Sequence, residues 1–284
     1  MILDTALARR SNFIRKGFAY ALQAPRTIRR SFCRPSEYQR HPPIVVNSVP
    51  KSGTHLLMQV ARALPGNRYY GSFLAQYPSL TMRPRSQPEI NFHLTRAVPG
   101  EVMGAHLHYS EHTEKALSRI NALHLFIYRD PRDVLISEAN YLASMNRWHA
   151  MHNLFSRFDT EDARVELAIV GCDKAGFPNV KARLYPYLQW LGRRSVIAIR
   201  YEDMVGPQAI AVLDRVLDEW RQRGGLGDVT SEALLAAINP EKSHTYHSGG
   251  IEKWRSKLSA ENKALFAANA EDLAIAYGFG ATFR

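Results

Sequence analysis

Short apolar runs alternate along this chain with longer stretches of helical period. The run Ile44-Val45-Val46-Asn47-Ser48-Val49 predicts a strand over 43–48, and the pattern from Leu56 to Leu64 predicts a helix starting at 54. Further strands are predicted at 101–107, 123–128 and 195–200. Helices are predicted at 111–119, 132–146, 178–191, 207–223, 230–238 and 259–277, with a helical stretch near 160–170. Pro186 is expected to kink the helix that contains it. Residues 65–100, rich in Pro, Gly, Ser and Arg, show poor periodicity and read as an irregular excursion. Strands alternating with helices argue an α/β fold with a parallel sheet, whose ligands sit at the carboxyl ends of the strands. The longest apolar runs are a handful of residues, so no transmembrane helix is expected.

Charge changes the picture at one end. The chain of 284 residues carries a net charge of +11, which suits anionic partners. Residues 1–40 hold nine basic against two acidic side chains. They read as a basic arm before a single domain over 41–284. Phe13, Ile14, Phe18 and Leu22 lie close to helical spacing in this arm. It is either an amphipathic helix lying on anionic lipid or a solvated arm. Phe18 to Ala24 is too short and polar for a secretory signal. No nucleic-acid module is evident, so nucleic acid is not an expected partner. Cys33 and Cys172 give neither a disulfide framework nor zinc-type spacing. A cytoplasmic location follows as the default, with a peripheral seat on the inner face of the membrane if the arm binds lipid.

The chemistry lies at the strand–helix junctions. Pro50-Lys51-Ser52-Gly53-Thr54-His55 joins the first strand to its helix. Backbone N–H groups and the positive end of the helix dipole favour an anion there. In a Walker loop the lysine follows the second glycine of GxxxxGK[ST]. Here Lys51 precedes Gly53, and no glycine lies upstream at the required spacing. That order argues against an ordinary P-loop NTPase. The second junction is Arg129-Asp130-Pro131-Arg132-Asp133, with Pro131 suited to a first helical turn. Arg129 at the strand end and Ser137 in the helix bring a planar fork and a hydroxyl donor toward one phosphate.

The pair PKSGT and RDPRDVLIS, roughly 80 residues apart, resembles the two nucleotide-binding motifs of the sulfotransferases. These enzymes use 3′-phosphoadenosine 5′-phosphosulfate (PAPS). The resemblance implies a P-loop-like, three-layer α/β fold with a central parallel sheet flanked by helices. It further implies that Lys51, Ser52, Gly53, Thr54 and His55 hold the 5′-phosphosulfate, and that Arg129 and Ser137 hold the 3′-phosphate. The segment Tyr201-Glu202-Asp203-Met204 resembles the family's YEDM, which makes Tyr201 an expected adenine neighbour. Gly249 and Trp254 keep the glycine-to-tryptophan step of the family's RKGxxGDW loop. His247 and Ser248 stand in place of its Arg-Lys pair, and Lys253 and Arg255 are the cations at hand to substitute. Leu56 stands where cytosolic members carry an adenine-stacking tryptophan.

His106-Leu107 ends a predicted strand between the two motifs, as the catalytic histidine does in cytosolic-type members. His106 is therefore the expected base, with His108 the alternative. Lys51 is the expected partner of the leaving-group charge. Glu101 and Glu111 flank this segment without falling into the role by any motif. His106, His108 and His112 form HxHxxxH. The pattern lacks the aspartate of HxHxDH hydrolases, and no cysteine lies nearby, so no metal is expected. The implied reaction moves a sulfuryl group from PAPS to a hydroxyl on a glycan, lipid or small alcohol and leaves 3′-phosphoadenosine 5′-phosphate (PAP). Residues 65–100 and 145–177 are expected to line the acceptor pocket. The competing readings are a nucleotide kinase or NTPase and a non-catalytic nucleotide- or membrane-surface-binding module.

Overall fold

The computed structural model describes residues 12–239 and 250–282. Five parallel strands form one sheet in the order β2-β3-β1-β4-β5. They are β1 (Ile44–Ser48), β2 (Arg68–Ala75), β3 (Glu101–His106), β4 (Leu123–Tyr128) and β5 (Ile197–Arg200). Ile44 of β1 stands in register with Val102 of β3 on one side and Leu123 of β4 on the other. The chain leaves β1 for one edge and later returns for the other. The carboxyl ends of β1, β3 and β4 therefore border a topological switch point, where open α/β sheets bind ligands.

The main helices are α1 (Asn12–Ser31), α2 (Thr54–Ala63), α3 (Gln87–Leu94), α4 (Glu111–Arg119), α5 (Pro131–Asn140), α6 (Glu161–Val170), α7 (Ala209–Gln222) and α8 (Ala260–Ala276). Alternate strand residues face opposite layers. Ile44 and Val46 pack with Leu57 and Val60 of α2 and Val216 and Trp220 of α7. Val45 faces the other way, onto Ile90 of α3 and Leu117 of α4. Phe126 joins the same side further along, among Leu135 of α5, Ile169 of α6 and Phe266 of α8. Burial on both faces explains why β1 opens on three consecutive apolar residues, Ile44-Val45-Val46, rather than an alternating pattern. The result is the three-layer parallel α/β fold expected from the sequence. Among the described residues no helix is long and apolar enough to cross a membrane.

Three predicted elements differ. The excursion at 65–100 contains β2 and α3. β2 is a half-exposed edge strand whose register shifts between Tyr69 and Phe73, so its side chains never alternate cleanly. Gly71, at φ +77°, sits within that shift. The helix predicted to Asn146 leaves α geometry after Asn140 and continues as a π turn over Tyr141–Met145. The helix predicted over 178–191 is α only to Leu184; from Tyr185 it tightens to a 3₁₀ turn that includes Pro186.

The second half of α1 is docked on the domain. Gln23 Nε2 donates to the carbonyl of Tyr70 on edge strand β2 (3.1 Å). Arg26 Nε meets the Glu101 carboxylate at 2.7 Å, and Arg30 donates to Thr95 O. Glu101 is fully buried and also accepts from Ser72 Oγ (2.6 Å) and Val98 N (2.9 Å). It lies at the opposite end of β3 from His106 and belongs to this anchor. α1 thus covers a sheet edge that would otherwise be open to pairing.

Candidate active site

Four segments predicted to carry chemistry leave the carboxyl ends of neighbouring strands: Val49–Gly53 after β1, His106 at the end of β3, Arg129 after β4 and Tyr201 after β5. The loop after β1 begins as an extension of the sheet, with Val49 N donating to Ile127 O (3.1 Å), and turns where Ser52 N donates to Val49 O (3.2 Å). Lys51 (φ +68°) and Gly53 (φ +100°) both adopt left-handed backbone, which makes the turn a concave nest of amides. Only glycine fits at 53. A Cβ there would lie 2.7 Å from the Tyr201 ring and 3.2 Å from Ile127 Cδ1. Gly53 offers no side-chain cap, so the first N–H groups of α2 are open to a bound anion. Ser52 is fully buried, and its Oγ has no hydrogen-bond partner among the described residues. A buried hydroxyl left unsatisfied is costly, and this one lies in the loop expected to hold an anion. Thr54 is also buried, whereas His55 is exposed.

The Lys51 ammonium stands over the Tyr141 ring, 4.1 Å from its centroid. The π turn after α5 supplies that tyrosine. Burial lowers the Lys51 pKa to about 8; nearby Arg129 adds to the shift and Glu138 opposes it.

At the other end of α5, Arg129 Nη2 donates to Asp133 Oδ2 (2.9 Å) and to the carbonyl of Gly250 (2.5 Å). Its guanidinium carbon lies 4.5 Å from the centroid of Tyr201. Arg129 Nε is buried and unpartnered among the described residues. Asp133 Oδ1 accepts the backbone N–H of Trp254 (2.9 Å), which ties the C-terminal loop to α5. Burial pushes the Asp133 carboxyl above its ordinary pKa, with Arg129 pulling against that. Asp133, Ser137 and Tyr141 are each one helical turn apart and share a face. Ser137 therefore lies midway between the residue that holds Arg129 and the residue under Lys51.

Tyr201 is buried and touches both motifs, edging Gly53 and lying under Arg129. Leu56, half-buried, packs against the core beneath the loop. Gly249, His247 and Ser248 lie outside the described residues. Of the two expected substitutes, Lys253 folds back over Gly250: a Cβ built on Gly250 would lie 2.5 Å from its Cε and 3.5 Å from its Nζ. Burial, with Arg129 beside it, lowers the Lys253 pKa. Arg255 is turned outward, paired with Glu252 (2.9 Å) and resting on Trp254.

His106 is joined to the loop. Its Nδ1 lies 3.0 Å from both the carbonyl oxygen and the hydroxyl of Ser48. A carbonyl oxygen only accepts, so Nδ1 carries the hydrogen and Nε2 keeps its lone pair. Ser48 Oγ in turn lies 2.7 Å from Thr54 Oγ1. The ring edges onto Phe73 at 4.9 Å. Burial lowers the His106 pKa to about 4; the Ser48 carbonyl opposes the shift and Lys51 adds to it. The imidazole is therefore neutral at pH 7. His108 faces elsewhere, packed edge-on against Tyr187 (4.6 Å) and near Tyr77 (5.7 Å). His112 is exposed on α4, and among the described residues no three histidine, cysteine or acidic side chains are placed to share a metal ion.

Sequence reasoning missed Ser48, Asp133 and Tyr141. Asp133 had a legible signal, because it stands four residues from Arg129 at the start of a helix. Ser48 and Tyr141 had none, since each acts through a contact made across the fold.

A parallel sheet with a lysine-bearing nest of amides and an arginine pinned at the next strand end matches the build expected of a nucleotide-binding α/β protein. The sulfotransferase domain model matches residues 41–212, more than half of the chain. The chain belongs to the sulfotransferase domain family, and its class is the PAPS-dependent sulfotransferase implied by its paired motifs. Among solved structures it is similar to that of mouse sulfotransferase SULT7A1 complexed with PAP. The TM-score is 0.55 at 17% identity, over 83% of this chain and 86% of that one. At that identity the likeness is one of fold. None of the curated proteins matches the chain in sequence.

Proposed function

We propose that this sulfotransferase moves a sulfuryl group from PAPS to an acceptor hydroxyl, with His106 as general base and Lys51 opposite the leaving group. His106 Nε2 takes the acceptor proton as the acceptor oxygen forms its bond to sulfur. The bond between sulfur and the 5′-phosphate oxygen breaks, and the charge gathering on that oxygen is met by Lys51 and the amides of Ser52, Gly53 and Thr54. Arg129 and Ser137 hold the 3′-phosphate, with Tyr201 beside the adenosine.

One observation carries this reading. Buried polar atoms without partners among the described residues stand in both motifs: Ser52 Oγ in the first, and Arg129 Nε and Arg132 Nη1 in the second. Asp133 beside Arg129 and Tyr141 beneath Lys51 are two turns apart, roughly 12 Å along the helix. That spacing suits a nucleotide phosphorylated at both ends, and a single phosphate would leave one cluster unused. Lys253, beside Arg129, supplies the further cation on the 3′ side, in place of the Arg-Lys pair that His247 and Ser248 replace. The mouse neighbour's PAP is consistent with the same ligand.

The acceptor we infer is a hydroxyl carried on a ring or apolar body. Phe73 against His106, and Tyr77 against His108, are partly exposed on that side, and they come from the segment expected to line the acceptor pocket. Ala150 N donates to Ser79 O (2.8 Å), which joins that segment to the second one. A lipid or glycan acceptor at an anionic membrane surface accords with the exposed Ile28 and Phe32 beside the arginines of α1. Incubation with radiolabelled PAPS and a panel of lipid, glycan and small alcohol acceptors tests the function. Label transferred to an acceptor by the wild-type protein, and not by His106→Ala, is the expected result.

A further inference from the structure

The hydroxyls between the phosphate loop and the base form an unbroken chain. Thr54 Oγ1 lies 2.7 Å from Ser48 Oγ, which lies 3.0 Å from His106 Nδ1. Ser48 is fully buried and Thr54 nearly so, so water does not compete for these bonds. The other acceptor near the Ser48 hydroxyl, the carbonyl of Ala105, is at 3.4 Å, a poor distance for an O–H donor. We propose that Ser48 is a positioning residue that transmits occupancy of the phosphate loop to His106 through the Thr54–Ser48–His106 chain. The inference rests on the function proposed above.

Each hydroxyl has one hydrogen, which fixes the direction of the chain. With an anionic oxygen over the loop, the Thr54 hydroxyl turns its hydrogen to the anion. Its oxygen is then free to accept from Ser48. The Ser48 oxygen in turn accepts from Nδ1–H of His106. All three donors point toward the anion, and bonds aligned in series polarise one another. The negative charge is thereby felt at Nδ1, the imidazolium is stabilised, and Nε2 becomes a stronger base when the donor is in place. Without the anion the Ser48 carbonyl still fixes Nδ1–H, but the Thr54 hydroxyl has no charged acceptor and the chain brings no negative charge to the ring. Among the groups facing His106, Lys51 on the loop carries charge and disfavours the imidazolium. Arg85 is tied to the carbonyl of Ala75, which stands in register with His106. Phe73 of β2, Ser48 of β1 and Thr54 of α2 are uncharged. The relay offsets the effect of Lys51 only while the loop is filled.

Ser48→Ala separates this role from a structural one. The backbone carbonyl of residue 48 still accepts from Nδ1 and keeps the ring in place; only the hydroxyl is lost. The probe is PAP, which needs no acceptor, and the readout is the His106 ring resonance followed by NMR through a pH titration. The resonance is assigned by its loss in His106→Ala from among the 11 histidines. PAP raises the His106 midpoint in both proteins through its direct field. The rise is expected to be smaller in Ser48→Ala by about half a pH unit or more, with calorimetric PAP affinity changed less than about threefold. Ser48→Thr, which keeps a hydroxyl, restores the wild-type rise. If Ser48→Ala does not fold, Thr54→Val cuts the chain at its other end, and the rise at saturating PAP shrinks in the same way. Equal rises in wild type and either variant overturn the relay and leave the proposed function standing. Failure of PAP to bind the wild-type protein overturns the proposed function itself.

Discussion

The Lys51 ammonium lies 4.1 Å from the centre of the Tyr141 ring, a contact between the phosphate loop and the first residue of the π turn that follows α5. Tyr141 keeps helical backbone (φ −63°, ψ −44°) and donates its N–H to Ser137 O, so α5 carries the ring to the loop lysine.

The half-buried setting of Lys51 carries a pH signature. Its pKa is lowered to about 8, chiefly by burial. The ammonium is present below that pH and is lost as pH rises through it. PAP affinity is expected to fall as pH rises past about 8, well before an ordinary lysine would titrate. Bound phosphate favours the ammonium, so the alkaline limb moves upward in the complex. Calorimetry with PAP across the pH range checks this, and Lys51→Ala should abolish the dependence. Lys51→Ala should also cut transfer on the order of a hundredfold or more.

On the side proposed for the 3′-phosphate, Lys253 and Arg255 make opposite predictions. Lys253→Ala should weaken PAP binding roughly tenfold, about 1.4 kcal/mol, and leave adenosine 5′-phosphate unaffected. Arg255→Ala should change neither, since Arg255 is exposed and paired with Glu252. Competition binding with the two nucleotides measures both.

Gly53→Ala should fail twice over. The φ of +100° costs an L-residue on the order of 1–2 kcal/mol. The new Cβ would also meet the Tyr201 ring at 2.7 Å. Relief of that contact moves the loop amides or the ring under Arg129. Loss of PAP affinity together with a lower melting temperature is the expected outcome.

The α1 anchor is testable through stability alone. Arg26→Ala leaves the buried Glu101 carboxylate without its cation, a loss typically worth about 3–5 kcal/mol when a buried pair is broken. The melting temperature should drop by roughly 5–15 °C, with PAP affinity at low temperature nearly unchanged. Exposed Arg34→Ala should leave both the melting temperature and PAP affinity unchanged.

The boundaries of α4 and β4 were legible to the residue, because helical period at Glu111–Arg119 and a buried apolar run at Leu123–Tyr128 are local signals. β2 was not, since an edge strand with a register shift at Gly71 has no clean alternation. α3 could have been found: Ser86 and Glu89 form a capping box with a proline in the first turn. In the site, the loop and Arg129 were legible as motifs because their residues are contiguous. The bond from Ser48 to His106 spans 58 positions, and Arg129 meets Gly250 across 121. Such pairings exist only once strand order is set, and no local pattern encodes them.

Calorimetric titration of the wild-type protein with PAP and with adenosine 5′-phosphate decides whether the site is built for a nucleotide phosphorylated at both ends. PAP should bind on the order of a hundredfold more tightly, about 2.7 kcal/mol, and Arg129→Ala should erase most of that preference. Equal affinity for the two nucleotides, or a preference that survives Arg129→Ala, would contradict the assignment of the two motifs to opposite ends of one nucleotide.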